Sequence, residues 1–186
     1  MPPHCDRCGR PVGAGVALCR GCRDATPPYD RARSAAVYEG PAREAVKAFK
    51  LLGERRAART LAAWMAPPAR DLTADAATWV PGTRRSEAER GFVPAEELAR
   101  PLARALGLPA RRLLWKVRRT RDQSGLSRAE RRANLLGAFR VRPDPPKRVL
   151  LVDDIMTTGA TAEACAAALK AGGAREVLVV TFARAL

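Results

Sequence analysis

The chain has 186 residues, enough for one ordinary domain with a full core and a small appendage. No apolar stretch is long enough to cross a membrane, and the first ten residues lack the apolar segment of a secretory signal, so we expect a cytoplasmic protein with reduced cysteines. The net charge of +15 is carried mostly by arginine; compositional bias explains much of the arginine count, but the uncompensated excess favours polyanionic partners.

Two Cys-x-x-Cys pairs open the chain, Cys5 with Cys8 and Cys19 with Cys22. Each pair can form a tight knuckle that presents two thiolates, and two knuckles close a tetrahedral site that suits structural zinc. In so short a segment metal binding would supply the folding energy. An iron site is one alternative, and two disulfides are another that a reducing compartment disfavours. We predict a Cys₄ zinc ribbon over residues 1–27, followed by the main domain over residues 28–186.

The first half of the main domain shows one possible strand and two helical patterns. The strand covers residues 35–38, and the helices cover residues 44–52 and 54–65, with a break or kink at Gly53 and an end at Pro67-Pro68. The residues expected to face inward from these helices are Val46, Phe49, Leu61, Trp64 and Met65.

A short strand over residues 78–80 leads into Pro81-Gly82-Thr83-Arg84-Arg85. Glycine gives a ligand access to the backbone and arginine gives charge, so Arg84 and Arg85 are candidates for binding a pyrophosphate. A helix over residues 94–106 and a strand over residues 113–117 follow, and residues 138–141 are expected to form an edge strand.

Residues 118–134 hold the only glutamine and the only asparagine of the chain, Gln123 and Asn134, among six arginines. This composition indicates either a polar site or a mobile, solvated loop with an exposed helix. A mobile loop could itself act as a lid over a reactive ligand.

The most informative stretch covers residues 148–182. An apolar run over residues 149–152 predicts a strand buried on both faces of a parallel sheet, and Asp153 and Asp154 follow it directly. A turn of small residues then opens an alanine-rich helix that ends at Gly172-Gly173, before a second buried strand over residues 177–182. On that helix Ala162, Cys165, Ala166 and Leu169 should face the sheet. The pattern is that of a complete βαβ unit.

The chemistry of this unit suits a phosphorylated sugar. Ligands of open α/β sheets bind beyond the carboxyl ends of the strands, and a helix N-terminus attracts phosphate. Carboxylates can accept from sugar hydroxyls, and a divalent cation, Mg²⁺, would bridge two of them to an anionic ligand. The predicted phosphate loop consists of Thr157, Thr158, Gly159, Ala160 and Thr161. The alternative is a phosphate loop kept only as scaffold.

The string of four apolar residues, Asp-Asp, two further residues and Thr-Thr-Gly-Ala-Thr resembles the 5-phosphoribosyl-1-pyrophosphate (PRPP) motif of type I phosphoribosyltransferases. The resemblance implies that Asp153 and Asp154 hold the ribose hydroxyls and that residues 157–161 wrap the 5′-phosphate. The fold class it implies is α/β, a doubly wound parallel sheet of type I phosphoribosyltransferase type with a small N-terminal zinc ribbon.

The order of motifs along the whole chain is similar to that of the ComF family of competence-associated proteins. The shared stretches are the cysteine pairs, Tyr38-Glu39-Gly40 with Phe49-Lys50, Val80-Pro81, Arg90-Gly91-Phe92, Arg119 to Phe139 and the PRPP motif. The chain departs from the family at Gly82-Thr83 and Val93-Pro94. The family implies a role in handling incoming single-stranded DNA during natural transformation.

Two classes of function therefore remain open. The chain can be a Mg²⁺-dependent phosphoribosyltransferase whose acceptor is unidentified, with Asp153 and Asp154 positioning the ribose for catalysis. It can also be a non-catalytic protein that senses a nucleotide and binds single-stranded DNA through its ribbon and arginine face. The ribbon can alternatively dock other competence proteins.

Overall fold

A computed structural model describes residues 3–51, 56–118, 120 and 127–186. Its main sheet has four parallel strands in the order β1-β6-β5-β2, and a separate ribbon pairs two short antiparallel strands, β3 and β4. The strands are β1 (Arg31–Val37), β2 (Ala76–Trp79), β3 (Leu114–Lys116), β4 (Phe139–Val141), β5 (Arg148–Met156) and β6 (Glu176–Arg184). The helices are α1 (Arg20–Asp24), α2 (Gly40–Leu51), α3 (Ala57–Ala69), α4 (Arg84–Arg90), α5 (Pro94–Ala105), α6 (Arg128–Leu135) and α7 (Ala160–Ala171).

The sheet is covered by helices on both sides, as expected for a doubly wound fold. Helices α3 and α5 pack on each other and on the sheet. Helix α7 packs on β5 and β6, and it also contacts α6 and β4. All four residues of the apolar run 149–152 are fully buried. So are the α7 residues Cys165, Ala166 and Leu169, and Ala162 is almost so, as their helical spacing predicts. No helix in the described ranges combines the length and the apolar character needed to span a membrane.

The cysteine-rich segment docks on the first strand of the main sheet. The amide of Ala32 donates to the carbonyl of Arg7 at 2.6 Å, and the Arg33 guanidinium donates to the carbonyl of Asp6 at 2.9 Å. Gly9 has a φ of +70°, and a Cβ added there would lie 2.6 Å from the carbonyl oxygen of Ala32. The segment is therefore held against β1 so closely that only glycine fits at this position.

Several predicted elements differ from the observed ones. Trp64 does not face inward: its helix α3 turns the indole to solvent, where it is 64% exposed. Helix α3 also continues through Pro67 and Pro68 to Ala69 instead of ending at them. The kink predicted at Gly53 lies outside the described residues.

The two short strands predicted over 113–117 and 138–141 do not join the main sheet. They pair with each other, with Leu114 opposite Val141 and Lys116 opposite Phe139. Three-residue strands carry no local signal for their partner, so the sequence pattern could not assign them to a sheet. The edge-strand prediction for residues 138–141 holds only within this two-stranded ribbon.

Candidate functional site

The loop between β5 and α7 forms one wall of a cleft at the carboxyl end of the sheet. The cleft is open to solvent and is lined by Asp153, Thr181 and residues 155–162. Gly159 caps α7 with a φ of +85°, a left-handed conformation that glycine adopts without strain. The amide of Ala160 donates to the Thr158 hydroxyl at 3.3 Å. All five residues of the predicted phosphate loop therefore lie together at a helix N-terminus that faces open space.

The two aspartates stand within strand β5, because β5 and β6 stay paired through Met156 and Arg184. The strand thus continues four residues beyond the predicted run. On its other side β2 stops pairing at Trp79 opposite Val152, so the aspartates lie beyond the end of that neighbour. Successive residues of a strand point to opposite faces. The two carboxylates consequently lie on opposite faces of the sheet.

Asp153 lies on the α7 side of the sheet and lines the cleft. Its Oδ1 accepts from the amide of Asp154 at 2.9 Å, and its register partner is Thr181, whose side chain also lines the cleft. Burial and then the neighbouring Asp154 carboxylate raise the pKa of Asp153 well above its usual value, against the opposing charge of Lys50. A cation or hydroxyl donors in the cleft would favour the ionised form of this carboxylate.

Asp154 faces the other side of β5 and is 5% exposed. Its Oδ2 lies 2.6 Å from the Nζ atom of Lys50, and its Oδ1 accepts from the amide of Ile155 at 2.7 Å. Lys50 belongs to α2, where Val46 and Phe49 are buried on the same side of the helix. From the sequence, Lys50 is known only as part of the family pattern. Its helical spacing from Val46, next to the buried Phe49, was the signal that it faces inward from α2.

The residues predicted to bind pyrophosphate lie at the same edge of the sheet. The amide of Val80 donates to the carbonyl of Val152 at 3.0 Å, which places the loop after β2 directly beside Asp153. Arg84 and Arg85 begin helix α4 instead of extending the loop, and their side chains lie outside the described part of the structure. Their role as phosphate ligands stays a prediction.

The polar segment over residues 118–134 is described only in part. Residues 119 and 121–126 lie outside the described ranges, and Gln123 is among them. The described portion contains helix α6, which begins with a capping box: the Ser127 hydroxyl accepts from the amide of Glu130, and the Glu130 carboxylate accepts from the amide of Ser127. Arg118 donates to the carbonyls of Asn134 and Leu136, at 2.7 and 2.8 Å. Arg118 therefore holds the C-terminal end of α6 next to the β3–β4 ribbon.

The four N-terminal cysteines form one cluster. The sulfur atoms of Cys5, Cys8, Cys19 and Cys22 all lie within 4.8 Å of one another, and those of Cys8 and Cys19 are 3.6 Å apart. Sulfur atoms bound at about 2.3 Å to a tetrahedral zinc are separated by about 3.8 Å. None of these cysteines forms a disulfide. The arrangement fits a small zinc ribbon.

Local hydrogen bonds favour the thiolate form of one member of the cluster, Cys5. Burial raises the pKa of the Cys5 thiol, but backbone N–H donors of Cys8, Cys19 and Arg7 more than offset this and lower it to about 7. The thiolate form, which binds metals, is thereby accessible near neutral pH.

A buried arginine joins the cysteine cluster to the strand that carries the aspartates. Arg184 is 5% exposed, and its Nη1 atom lies 2.7 Å from the carbonyl oxygen of Cys8, to which it donates, and 2.8 Å from the Sδ atom of Met156. Its positive charge lowers the pKa of the Cys8 thiol, although burial raises that pKa overall. Nothing in the sequence pattern of a terminal strand predicts a buried guanidinium, so Arg184 could not be found from the sequence.

Comparison with known proteins shows similarity to the phosphoribosyl transferase domain and to proteins named for competence and DNA utilization. Residues 88–186 match the family model described as the phosphoribosyl transferase domain. The chain is 30% identical to competence protein F of Haemophilus influenzae, over 98% of this chain and 85% of the relative. It is 32% identical to the DNA utilization protein YhgH of Salmonella typhi and 30% identical to that of Escherichia coli K12, in each case over 98% of this chain and 84% of the relative.

Proposed function

Because the chain belongs to the ComF family and carries its phosphoribosyl transferase domain, we propose that the cleft after β5 binds PRPP or a related ribose phosphate with Mg²⁺. The observation that carries the proposal is the loop over residues 157–161, which opens α7 beside Asp153 with its glycine in the left-handed conformation. Backbone N–H groups and the positive end of the helix dipole would hold the 5′-phosphate there.

Asp153 is the carboxylate that faces this ligand. It would accept hydrogen bonds from the ribose hydroxyls, and these bonds would favour the ionised form of Asp153 that burial disfavours. Asp154 would reach the ligand only by parting from Lys50, so we assign it the role of holding Asp153 and α2 in place. Bound Mg²⁺ would supply charge neutralisation for the diphosphate.

For the cysteine cluster we propose structural zinc. All four ligand positions are filled by thiolates, so no open position remains for a substrate. Arg184 would offset part of the excess negative charge of a four-thiolate site. Metal analysis of the purified protein should give one zinc per chain, and replacing Cys8 by serine should lower the thermal stability together with the zinc content.

The cleft proposal is tested by calorimetric titration with PRPP and Mg²⁺. Wild-type protein should bind, Asp153→Asn should lose most of the affinity, and omission of Mg²⁺ should weaken it. Lack of any heat of binding for PRPP and for ribose 5-phosphate would refute the proposal.

Release of pyrophosphate separates an enzyme from a sensor. In a transferase, the loop and Asp153 would fix the ribose while the bond to pyrophosphate loosens through an oxocarbenium-like state, and Arg84 and Arg85 are the candidates to stabilise the departing charge. Release that depends on an added acceptor and is lost in Asp153→Asn favours the transferase. Tight binding without turnover across nucleobases and other acceptors favours the sensor.

We further propose that the protein acts on single-stranded DNA taken up in natural transformation. The names of the relatives, "Competence protein F" and "DNA utilization protein", support this role, and so does the net charge of +15. An electrostatic contact with the DNA backbone requires an affinity that falls steeply as salt rises. An affinity that ignores ionic strength would contradict it.

A further inference from the structure

The outer face of the β3–β4 ribbon combines an exposed aromatic ring with arginines. Trp115 and Arg140 are direct partners in the antiparallel register, so their side chains lie on the same face. The guanidinium carbon of Arg112 stands 5.8 Å from the centre of the Trp115 ring. Trp115 is 38% exposed and Val117, two residues further along the same face, is 53% exposed. We call these four residues the Trp115 face.

This face is held in a fixed position by the opposite side of the ribbon. Leu114 is 1% exposed, and the amide of Leu113 donates to the buried hydroxyl of Thr78 in the main sheet at 3.1 Å. The amide of Val117 donates to the carbonyl of Ala138 at 2.9 Å, which continues the ribbon by one more hydrogen bond. The exposed ring is thus presented by an anchored element.

The charge around the ring is mostly positive. Residues 111–118 and 138–143 contain six lysines and arginines and no acidic residue. All five arginines, at positions 111, 112, 118, 140 and 142, are exposed. The Glu87 carboxylate lies 4.0 Å from the Arg112 guanidinium. A surface with this composition attracts a polyanion.

We propose that the Trp115 face binds single-stranded nucleic acid, with one base stacked on the indole of Trp115 and the adjoining phosphates paired with Arg140 and Arg112. Aromatic rings interleaved with cations are the usual means of holding an unpaired strand without reading its sequence. A duplex offers no free base face to the ring, whereas an unpaired strand offers one with each nucleotide. The inference rests on the proposed role in DNA handling and locates it on a surface separate from the ribose-phosphate cleft.

The expected loss of affinity follows from the general cost of removing one stacked base. Replacement of Trp115 by alanine should weaken binding by about 5- to 150-fold, since one base–aromatic stack contributes that much. Arg140→Ala should remove about one phosphate contact and lower the slope of log affinity against log salt by about 0.7. Trp115→Phe keeps an aromatic surface and should retain most of the affinity.

The test is fluorescence anisotropy of a labelled oligothymidylate titrated with full-length protein at several salt concentrations. Trp64→Ala and Arg59→Ala are matched controls, because both side chains are exposed on α3 in the main domain. PRPP calorimetry on every variant reports on the integrity of the cleft. The proposal predicts weak DNA binding by Trp115→Ala and Arg140→Ala, with unchanged binding by both controls and unchanged PRPP affinity.

Three results would overturn the assignment, and they are distinguishable. If wild-type protein binds the oligonucleotide and Trp115→Ala binds it equally well, the Trp115 face is not the binding surface, although the proposed DNA role stands. If wild-type protein does not bind it at all in low salt, the proposed DNA role fails and the assignment with it. Stronger binding of duplex than of single strand, with the same loss in Trp115→Ala, would also exclude stacking.

Discussion

The buried ion pair beneath the cleft gives the sharpest prediction about stability. Lys50→Met removes the charge of the lysine and keeps a side chain of similar length, so Asp154 would remain buried without its partner. We expect the substitution to destabilise the fold, and Asp154→Asn in the same chain to restore much of the loss.

The magnitude follows from the distance and burial of the pair. At 2.6 Å, two unit charges attract by on the order of 6 kcal/mol at an effective dielectric constant of about 20. Desolvation opposes this attraction, and breaking a buried pair costs about 3–5 kcal/mol. The Lys50 side chain is 28% exposed, so water screens part of the interaction, and we expect a loss of about 2–3 kcal/mol.

Urea unfolding measures this loss. With a slope of about 2 kcal/mol per molar, the midpoint should fall by about 1–1.5 M urea. The matched control is Lys47→Met on the same helix, because Lys47 pairs with Glu44 at 3.0 Å in an exposed position, where such pairs contribute about 0.5 kcal/mol or less. Equal effects of the two substitutions, or no coupling between Lys50→Met and Asp154→Asn, would refute the reasoning.

Three further substitutions test other parts of the structure. The folded-state pKa of Asp153 lies above its unfolded value, so its protonated form contributes stability at low pH that is lost as pH rises. Asp153→Asn should therefore raise the melting temperature at pH 8 and leave it unchanged near pH 3. A lower melting temperature at pH 8 would contradict this. Gly9→Ala should lower the free energy of thermal unfolding by about 2 kcal/mol or more, because its Cβ would lie 2.6 Å from the carbonyl oxygen of Ala32. The control Gly15→Ala should lower it by about 1 kcal/mol, because Gly15 also has a positive φ, +76°, but has open space around it. Equal losses would show that the cysteine-rich segment is not held closely against β1. Arg184→Met should speed the release of zinc to a chelator, since the Cys8 carbonyl loses its buried donor; an unchanged release rate would exclude that role.

The sequence predicted best those features that depend on neighbours along the chain. The run over residues 149–152, the glycine stop of α7 and its sheet-facing Cys165 are read from a spacing of a few residues, and the structure confirms them. The cysteine pairs are also a local signal, and their sulfur atoms form a cluster in the structure. Local spacing fixes which way a side chain points once the type of element is known.

Features that depend on distant parts of the chain were not predictable in this way. Trp64 lies at an apolar position of a helical pattern, yet no element in the described part of the chain covers it, and the ring is 64% exposed. The length of β5 depends on β6, which pairs with it as far as Met156 and so draws both aspartates into the strand. The partner of Lys50 lies 104 residues further along the chain, and helical periodicity carries no information about it.

The central claim is that the loop over residues 157–161 holds a phosphoryl group next to Asp153. The most direct measurement is a two-dimensional ¹⁵N–¹H NMR titration of the protein with ribose 5-phosphate. We predict saturable shifts of the Thr158, Gly159 and Ala160 amides, with the Gly159 signal moving downfield as its N–H donates to phosphate. Binding that leaves these three signals in place while shifting amides elsewhere would contradict the claim.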